Sequence, residues 1–479
     1  MNGAGVGRLR RSAVAGVLGA ALATSGLTAG VGRAFAAPSP APGQSSGEAT
    51  GAATGPPPGG AVLTPVTDSA DTLPTGPGVQ QALAPLLQDK SLGTLNFAVA
   101  DAATGRLLFG SGENTPATPA STTKLATSVA ALALLPADRR IETRVVAGAA
   151  PGEITLVGGG DPTLTALPAD QVQVGGLAVD PDNAPASMTD LAAQTAAALK
   201  AAGVSSVKLG YDNSLYTGQV RHMENDDYNV APVTALMVDE GKVEPRSQAD
   251  APARVLDPAA QAADAFTALL KAQGVTVQGR PAAATAAPDA RTLGSVRSPT
   301  LARLVERLLT HSDNTIAEAV ARQVAIAAHR SPSFEGAATA VTETVGKLGV
   351  PTAGLVLNDG SGLSTANLIP PSTLVQLLAV AAAKDHPELR PVLTGLPIAG
   401  FTGTLVSRFG ARSGAGEASG IVRAKTGTLS GVNTLAGTVV DADGRVLVFA
   451  LMTKTTAAAD PARTAVDRIV ARLAACGCH

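Results

Sequence analysis

A serine and a lysine three residues apart are the first residues in this sequence that could perform chemistry together. Ser121 and Lys124 begin an apolar helical pattern, so both side chains are expected on one face of a helix. A serine hydroxyl becomes a good nucleophile when a base takes its proton, and a partly desolvated lysine can be that base. The spacing alone is weak evidence, because Ser205 and Lys208 repeat it. By itself it indicates a surface serine beside a solvated lysine.

Two further motifs follow and change this interpretation. The second motif, Ser312-Asp313-Asn314, follows an amphipathic helical pattern. The third, Lys425-Thr426-Gly427-Thr428, lies in an apparent strand. This order of three motifs occurs in serine β-lactamases and penicillin-binding proteins. The sequence thus resembles the penicillin-recognising serine D-alanyl-D-alanine peptidases. Other phrases resemble their class C low-molecular-mass branch, the D-Ala-D-Ala carboxypeptidase/endopeptidases; they are residues 158–164, 231–232, 235–236, 239–241 and 358–364.

The resemblance, which runs from about Gly78 to the C-terminus, implies a fold and a set of roles. The fold is α+β of the β-lactamase/transpeptidase-like type: an antiparallel sheet flanked by helices, with an inserted α/β domain. Ser121 would attack the carbonyl of the penultimate D-alanine and Lys124 would accept its proton. Ser312 would relay the proton to the departing amine, while Asn314 would hold both the substrate amide and Lys124. Backbone N–H groups of Ser121 and Thr428 would form the oxyanion hole.

The third motif and one residue of the insertion would bind substrate. Lys425 would supply positive charge, and the hydroxyls of Thr426 and Thr428 would hold the terminal carboxylate. Gly427 would let the substrate backbone lie flat against the strand. Asp212 ends a predicted strand in a phrase that resembles one facing the substrate's side chain, so it is a candidate for pairing with an ammonium group there. A turn residue with a solvated carboxylate is the alternative.

Changes in composition divide the chain. A basic start, an apolar run and the small residues before Ala37 predict an export signal cleaved after Ala36, although an uncleaved anchor and a twin-arginine signal stay open. The predicted segments are a signal peptide (1–36), a Pro/Gly/Ser/Ala-rich linker (37–77), a first catalytic part (78–140), one or more inserted domains (141–290) and a second catalytic part (291–479). The sequence does not fix how many domains are inserted.

The composition argues against several classes of protein. A net charge of −2 and the absence of Trp, with only eight Phe and three Tyr, disfavour binding to nucleic acid. The five His residues form no zinc-hydrolase pair, so neither a metal nor a cofactor is predicted. Cys476 and Cys478 lie beside the C-terminal residue, where we expect a frayed end rather than a metal site; oxidation or intermolecular pairing is the alternative.

The predicted function is therefore a serine D-Ala-D-Ala carboxypeptidase, with endopeptidase activity left open, that acts on peptidoglycan stem peptides and is acylated by β-lactam antibiotics. We expect an exported protein, extracellular or in the cell envelope, with peripheral envelope association open. One alternative is a serine β-lactamase. It is disfavoured because Glu318 falls within a predicted helix and Glu335 lacks an asparagine partner before Asn358. The other is a non-catalytic penicillin-binding envelope protein, against which the intact motifs argue.

Overall fold

A computed structural model describes residues 73–479, apart from 175, 180–182, 227 and 457. The predicted signal peptide and nearly all of the predicted linker fall outside the described residues. Within the described ranges, no helix combines the length and the apolar character needed to cross a membrane.

Strands and helices occur in mixed order along the chain. Numbered in chain order, the strands are β1 Thr94–Asp101, β2 Leu107–Ser111, β3 Arg140–Ala147, β4 Glu153–Val157, β5 Gln173–Val174, β6 Leu177–Ala178, β7 Ser206–Asp212, β8 Thr276–Val277, β9 Ala282–Ala283, β10 Thr292–Thr300, β11 Arg423–Leu429, β12 Val432–Val440 and β13 Val446–Lys454. The helices are α1 Gly76–Leu83, α2 Thr123–Leu134, α3 Met188–Ala201, α4 Pro258–Ala272, α5 Leu301–Thr310, α6 Asn314–Ala327, α7 Phe334–Lys347, α8 Pro371–Ala382, α9 Arg390–Thr394 and α10 Ala459–Ala474.

A five-stranded sheet in the order β11-β12-β13-β1-β2 lies at the centre of the catalytic part, and every neighbouring pair in it is antiparallel. Successive side chains of a strand point to opposite faces. In β1, Phe97 and Val99 accordingly pack in one apolar core with α1 and α10, whereas Ala98 and Ala100 pack in a second core with α2 and α5 to α8. Both faces are therefore covered by helices, which confirms the predicted fold class.

The inserted region contains most strands of a second sheet. Its order is β10-β3-β4-β7-β8, with β9 also paired to β7. The β3 and β10 pairings are antiparallel, while β7 is parallel to β4, β8 and β9. Helices α3 and α4 cover the sheet with apolar side chains such as Leu191 and Phe266. An α/β insertion follows from this mixed topology.

Two details bear on the sequence-based expectations. Strand β10, which follows the predicted end of the insertion at residue 290, belongs to the second sheet; the domain boundaries stay predictions. The C-terminal tail is not frayed: Cys476 and Cys478 form a disulfide, and both are buried.

Candidate active site

Ser121 lies in a single 3-10 turn, Ala120–Thr122, that leads directly into α2. The carbonyl of Pro119 fixes the turn, because it accepts hydrogen bonds from the hydroxyls of Thr122 at 2.7 Å and of Thr434 at 2.8 Å. Thr434 belongs to β12, so the nucleophile turn is fastened to the central sheet. The side chain of Ser121 is partly exposed while the residues around it are buried.

Lys124 lies one turn further on and is fully buried. Its Nζ is 3.0 Å from Oγ of Ser121, 2.5 Å from Oδ1 of Asn314 and 2.7 Å from the carbonyl oxygen of Ser361. Burial lowers the pKa of Lys124 to about 8, against the opposing charges of Asp359, Glu318 and Asp313. The lysine is thus close to the serine hydroxyl and holds its proton much less tightly than a solvated lysine.

The second motif forms the corner between α5 and α6. Ser312 has a φ of 58°, in the left-handed region that non-glycine residues rarely adopt, and such strain is often found at functional sites. Asp313 is the N-cap of α6 and accepts a hydrogen bond from the N–H of Ile316 at 2.9 Å, as expected for a turn residue. Asn314 begins the helix and donates from Nδ2 to the carbonyl of Asn229 at 3.0 Å. Its Oδ1 is thereby turned towards Lys124.

The third motif lies on β11, at the edge of the central sheet. Lys425 is fully buried, and its Nζ donates to Oγ of Ser312 at 2.9 Å and to the carbonyl of Thr426 at 2.7 Å. Burial, followed by the charge of Lys124, lowers the pKa of Lys425 well below its usual value. The two ammonium groups disfavour each other, so the site favours states in which only one of them is charged.

Gly427 is where β11 approaches the nucleophile most closely. A Cβ atom there would lie 2.8 Å from the carbonyl oxygen of Pro119 and 3.0 Å from the nitrogen of Ser121, as well as against the hydroxyl of Thr434. Only glycine therefore lets the strand run beside Ser121 without a shift. The N–H groups at this junction are those that an oxyanion hole would use.

The two threonines of β11 already have polar neighbours. The hydroxyl of Thr426 donates to the hydroxyl of Thr404 at 2.8 Å, and the hydroxyl of Thr428 accepts from Nη2 of Arg463 at 3.3 Å. Arg463, which lies on α10, was not predicted from the sequence. It adds a positive charge beside the position proposed for a substrate carboxylate.

A buried charged cluster beneath Lys124 was also not predicted as part of the site. Glu318, Asp359 and His222 have ligand atoms within 4.8 Å of one another and are buried. These atoms already have hydrogen-bond partners: Glu318 accepts from two backbone N–H groups, Asp359 accepts from the N–H groups of Gly362 and Ser364, and His222 contacts Asp359. We interpret the cluster as a hydrogen-bonded network rather than a metal site.

The side-chain hydrogen bonds that the structure shows for Asp212 do not connect it to the three motifs. At the end of β7, its Oδ1 accepts from the N–H of Ser214 at 2.9 Å and its Oδ2 from the N–H of Ala286 at 2.8 Å. Burial opposes ionisation, but these hydrogen bonds outweigh it and lower the pKa of Asp212. Its contacts match the local turn role, and its role in specificity stays a prediction.

The fold and the joined Ser-x-x-Lys, Ser-Asp-Asn and Lys-Thr-Gly motifs define a serine acyl-transferring enzyme of the β-lactamase/transpeptidase-like type. Comparison with known proteins narrows this class. The model of the D-Ala-D-Ala carboxypeptidase 3 (S13) family matches residues 79–254 and 245–475. The chain belongs to this family.

Individual relatives are similar to this protein over most of its length. A carboxypeptidase of Mycobacterium tuberculosis is 38% identical over an alignment of 436 positions, and the alignment covers 88% of this chain and 89% of the relative. A D-alanyl-D-alanine carboxypeptidase of Actinomadura is 30% identical over an alignment of 495 positions, which covers 87% of this chain and 85% of the relative. The crystal structure of penicillin-binding protein 4 from Haemophilus influenzae has a TM-score of 0.64 and 22% identity, with 81% of this chain and 97% of that chain covered. That last similarity supports the fold.

Proposed function

We propose that Ser121 is the residue acylated in this serine-type D-Ala-D-Ala carboxypeptidase and that Lys124 accepts its proton. The observation that carries the proposal is the 3.0 Å hydrogen bond between Ser121 and a buried lysine whose pKa is about 8. A free amine at this distance can take the hydroxyl proton as Oγ attacks the carbonyl carbon. The developing oxyanion would bind the N–H groups of Ser121 and Thr428.

The remaining motif residues fit the second half of the reaction. As the peptide bond breaks, the proton held by Lys124 passes through the Ser312 hydroxyl to the amine of the departing D-alanine. Ser312 suits this relay because Lys425 donates to its Oγ and so stabilises negative charge on that oxygen. Water then attacks the ester carbonyl and releases the shortened peptide and the free serine.

We further propose that the substrate is the stem peptide of peptidoglycan. The free carboxylate of its terminal D-alanine would lie against the hydroxyls of Thr426 and Thr428, with Lys425 and Arg463 supplying positive charge. Such a substrate lies outside the cytoplasm. At the N-terminus, basic residues are followed by an apolar run and then by small residues, and this order supports export from the cytoplasm.

β-Lactam antibiotics are proposed as inhibitors that acylate the same serine. A second structure of the Haemophilus penicillin-binding protein 4 is a complex with a β-lactam. In this chain, Glu318 holds the N–H groups of Gly360 and Ser361 and is completely buried, so it is not placed as a free base for rapid deacylation. A stable penicilloyl adduct is therefore expected rather than β-lactamase turnover.

The test combines labelling and turnover. Intact mass should rise by one drug after penicillin treatment, with the adduct on the peptide that contains Ser121, and a pentapeptide ending in D-Ala-D-Ala should release D-alanine. Ser121→Ala should abolish both. Ser205→Ala, at the other serine with the same lysine spacing, is the matched control and should keep both. Labelling that persists in Ser121→Ala would refute the proposal, and labelling without D-alanine release would favour the non-catalytic binding protein.

A further inference from the structure

The surroundings of Lys124 determine where its lone pair points. When neutral, its amine has two N–H bonds and one lone pair. A carbonyl oxygen can only accept, so the Ser361 carbonyl must take one N–H. Asn314 donates from Nδ2 to the Asn229 carbonyl, and its Oδ1 must take the other N–H. The lone pair is left for the third neighbour, the hydroxyl of Ser121.

The Ser361 carbonyl is fixed by the residues around it. The carboxylate of Glu318 accepts from the N–H of Gly360 at 3.1 Å and from the N–H of Ser361 at 2.8 Å. On the opposite side of the same peptide unit, the hydroxyl of Thr127 donates to the Gly360 carbonyl at 2.7 Å. The segment that presents the acceptor to Lys124 is thus clamped between α2 and α6.

Asp359 closes the same segment into a tight loop. Its Oδ1 accepts from the N–H of Gly362 at 2.8 Å and from Nδ2 of Asn367 at 2.6 Å, and its Oδ2 accepts from the N–H of Ser364 at 2.6 Å. A carboxylate with this many donors holds the backbone of residues 360–364 in one arrangement. Asp359 is itself buried, so a lost donor could not be replaced by bulk water.

The inserted region supplies one more donor. His222 is buried, packs edge-on against Phe334, and has Nε2 2.9 Å from Oδ2 of Asp359. Its Nδ1 accepts from the N–H of Glu224 at 3.2 Å, which places the proton of the neutral ring on Nε2. His222 therefore donates to Asp359 and links the insertion to the loop beside Lys124.

We propose that Glu318, Asp359 and His222 are positioning residues for proton transfer: they hold the Ser361 carbonyl against one N–H of Lys124, so that the amine's lone pair faces Ser121. The inference rests on the proposed role of Lys124 as proton acceptor. It assigns the insertion a part in the chemical step, through His222, in addition to the Asn229 carbonyl that orients Asn314.

The charges around Lys124 are consistent with this arrangement. Asp359, Glu318 and Asp313 face it with negative charge and oppose the effect of burial on its pKa, while Lys425 approaches from β11. The positive charge of Arg322 balances part of the negative charge of Glu318. Loss of a carboxylate should therefore lower the pKa of Lys124 as well as release the Ser361 carbonyl.

The test measures acylation by a fluorescent penicillin, separating the non-covalent dissociation constant from the first-order acylation constant. We expect Glu318→Gln and His222→Leu to lower the acylation constant about 100-fold, since a small misplacement of a reacting group has this effect. The dissociation constant should change less than threefold, because β11 binds the ligand. His222→Gln places an amide N–H where Nε2–H lies and should recover most of the rate. In Glu318→Gln, the rise of acylation with pH should also move to lower pH.

The matched control is Asp467→Asn. Asp467 lies on α10 and is a buried carboxylate paired with Arg408, so its loss also destabilises the fold without touching Lys124. Acylation constants of Glu318→Gln and His222→Leu that stay within threefold of Asp467→Asn would overturn the inference, as would equal rates for His222→Leu and His222→Gln. If these variants do not fold, hydrogen exchange in the unaltered enzyme decides: rapid exchange of the Gly360 and Ser361 amides would overturn it. Persistent labelling of Ser121→Ala would instead refute the proposed function itself.

Discussion

The pH dependence of acylation follows directly from the burial of Lys124. With a pKa of about 8 instead of the usual 10.5, roughly one lysine in eleven is a free amine at pH 7, compared with about three in ten thousand for a solvated lysine. Burial thus raises the population of the reactive form about 300-fold at pH 7. The amount of free base should still limit the rate at neutral pH.

The sign of the effect is fixed by the charge of a lysine. Raising the pH removes its proton, so acylation should rise with pH and level off above the pKa. Between pH 7 and pH 9 the free-amine fraction increases from roughly one in eleven to ten in eleven, and the acylation rate should increase about tenfold. Below pH 7 it should fall about tenfold for each pH unit.

The assay follows covalent labelling by a fluorescent penicillin at pH 6 to 9.5, with samples quenched in acid. Circular dichroism at each pH shows whether the fold is intact, and intact mass confirms a single adduct. A flat profile between pH 7 and 9, or a rise that has not levelled off by pH 9.5, would refute the proposal that a neutral, buried Lys124 accepts the proton.

Further substitutions test the other site residues. Lys124→Ala should reduce D-alanine release by about 10² to 10⁴, the usual effect of losing a general base, whereas Lys425→Ala should mainly raise KM; small and equal effects in steady-state kinetics would contradict these roles. Gly427→Ala should lower the acylation rate far more than it lowers the melting temperature, because the new methyl group presses on the turn of Ser121. If Asp212 pairs with a side-chain ammonium group, as the sequence predicts, Asp212→Asn should lose more activity on a substrate with a free side-chain amine than on the acetylated one. An equal loss on both substrates would leave Asp212 with the local turn role that its hydrogen bonds to backbone N–H groups indicate.

Much of the fold could be predicted because its elements carry local signals. The alternation of side chains in β1 and the amphipathic pattern of α5 indicate a strand and a helix wherever they pack. The motifs could be found for the same reason. Each is a short run of residues whose types can be read without knowing their neighbours in space.

The buried network could not be predicted, because its partners are distant in sequence. His222 and Asp359 are 137 positions apart, and Glu318 is 42 positions from Gly360. The sequence phrase that contains Asp359 and Ser361 was recognised by resemblance. The group that contacts Lys124, however, is the backbone carbonyl of Ser361, and the type of a residue does not indicate what its backbone contacts. The sequence predicted only that Glu318 lies within a helix. The structure adds that its side chain is buried.

The order of strands in the central sheet has a consequence for biosynthesis. Strand β1 pairs with β13, and Thr75 at the start of the described chain bonds to Cys478, 403 positions later. A growing chain carries Ser121 long before it has Lys425 or the strands that connect β11 to β1. Contacts between such distant segments form slowly and late in folding. A chain that ends before β11 and β12 cannot assemble the nucleophile turn against these strands, so penicillin labelling should report only folded chains that contain both of them.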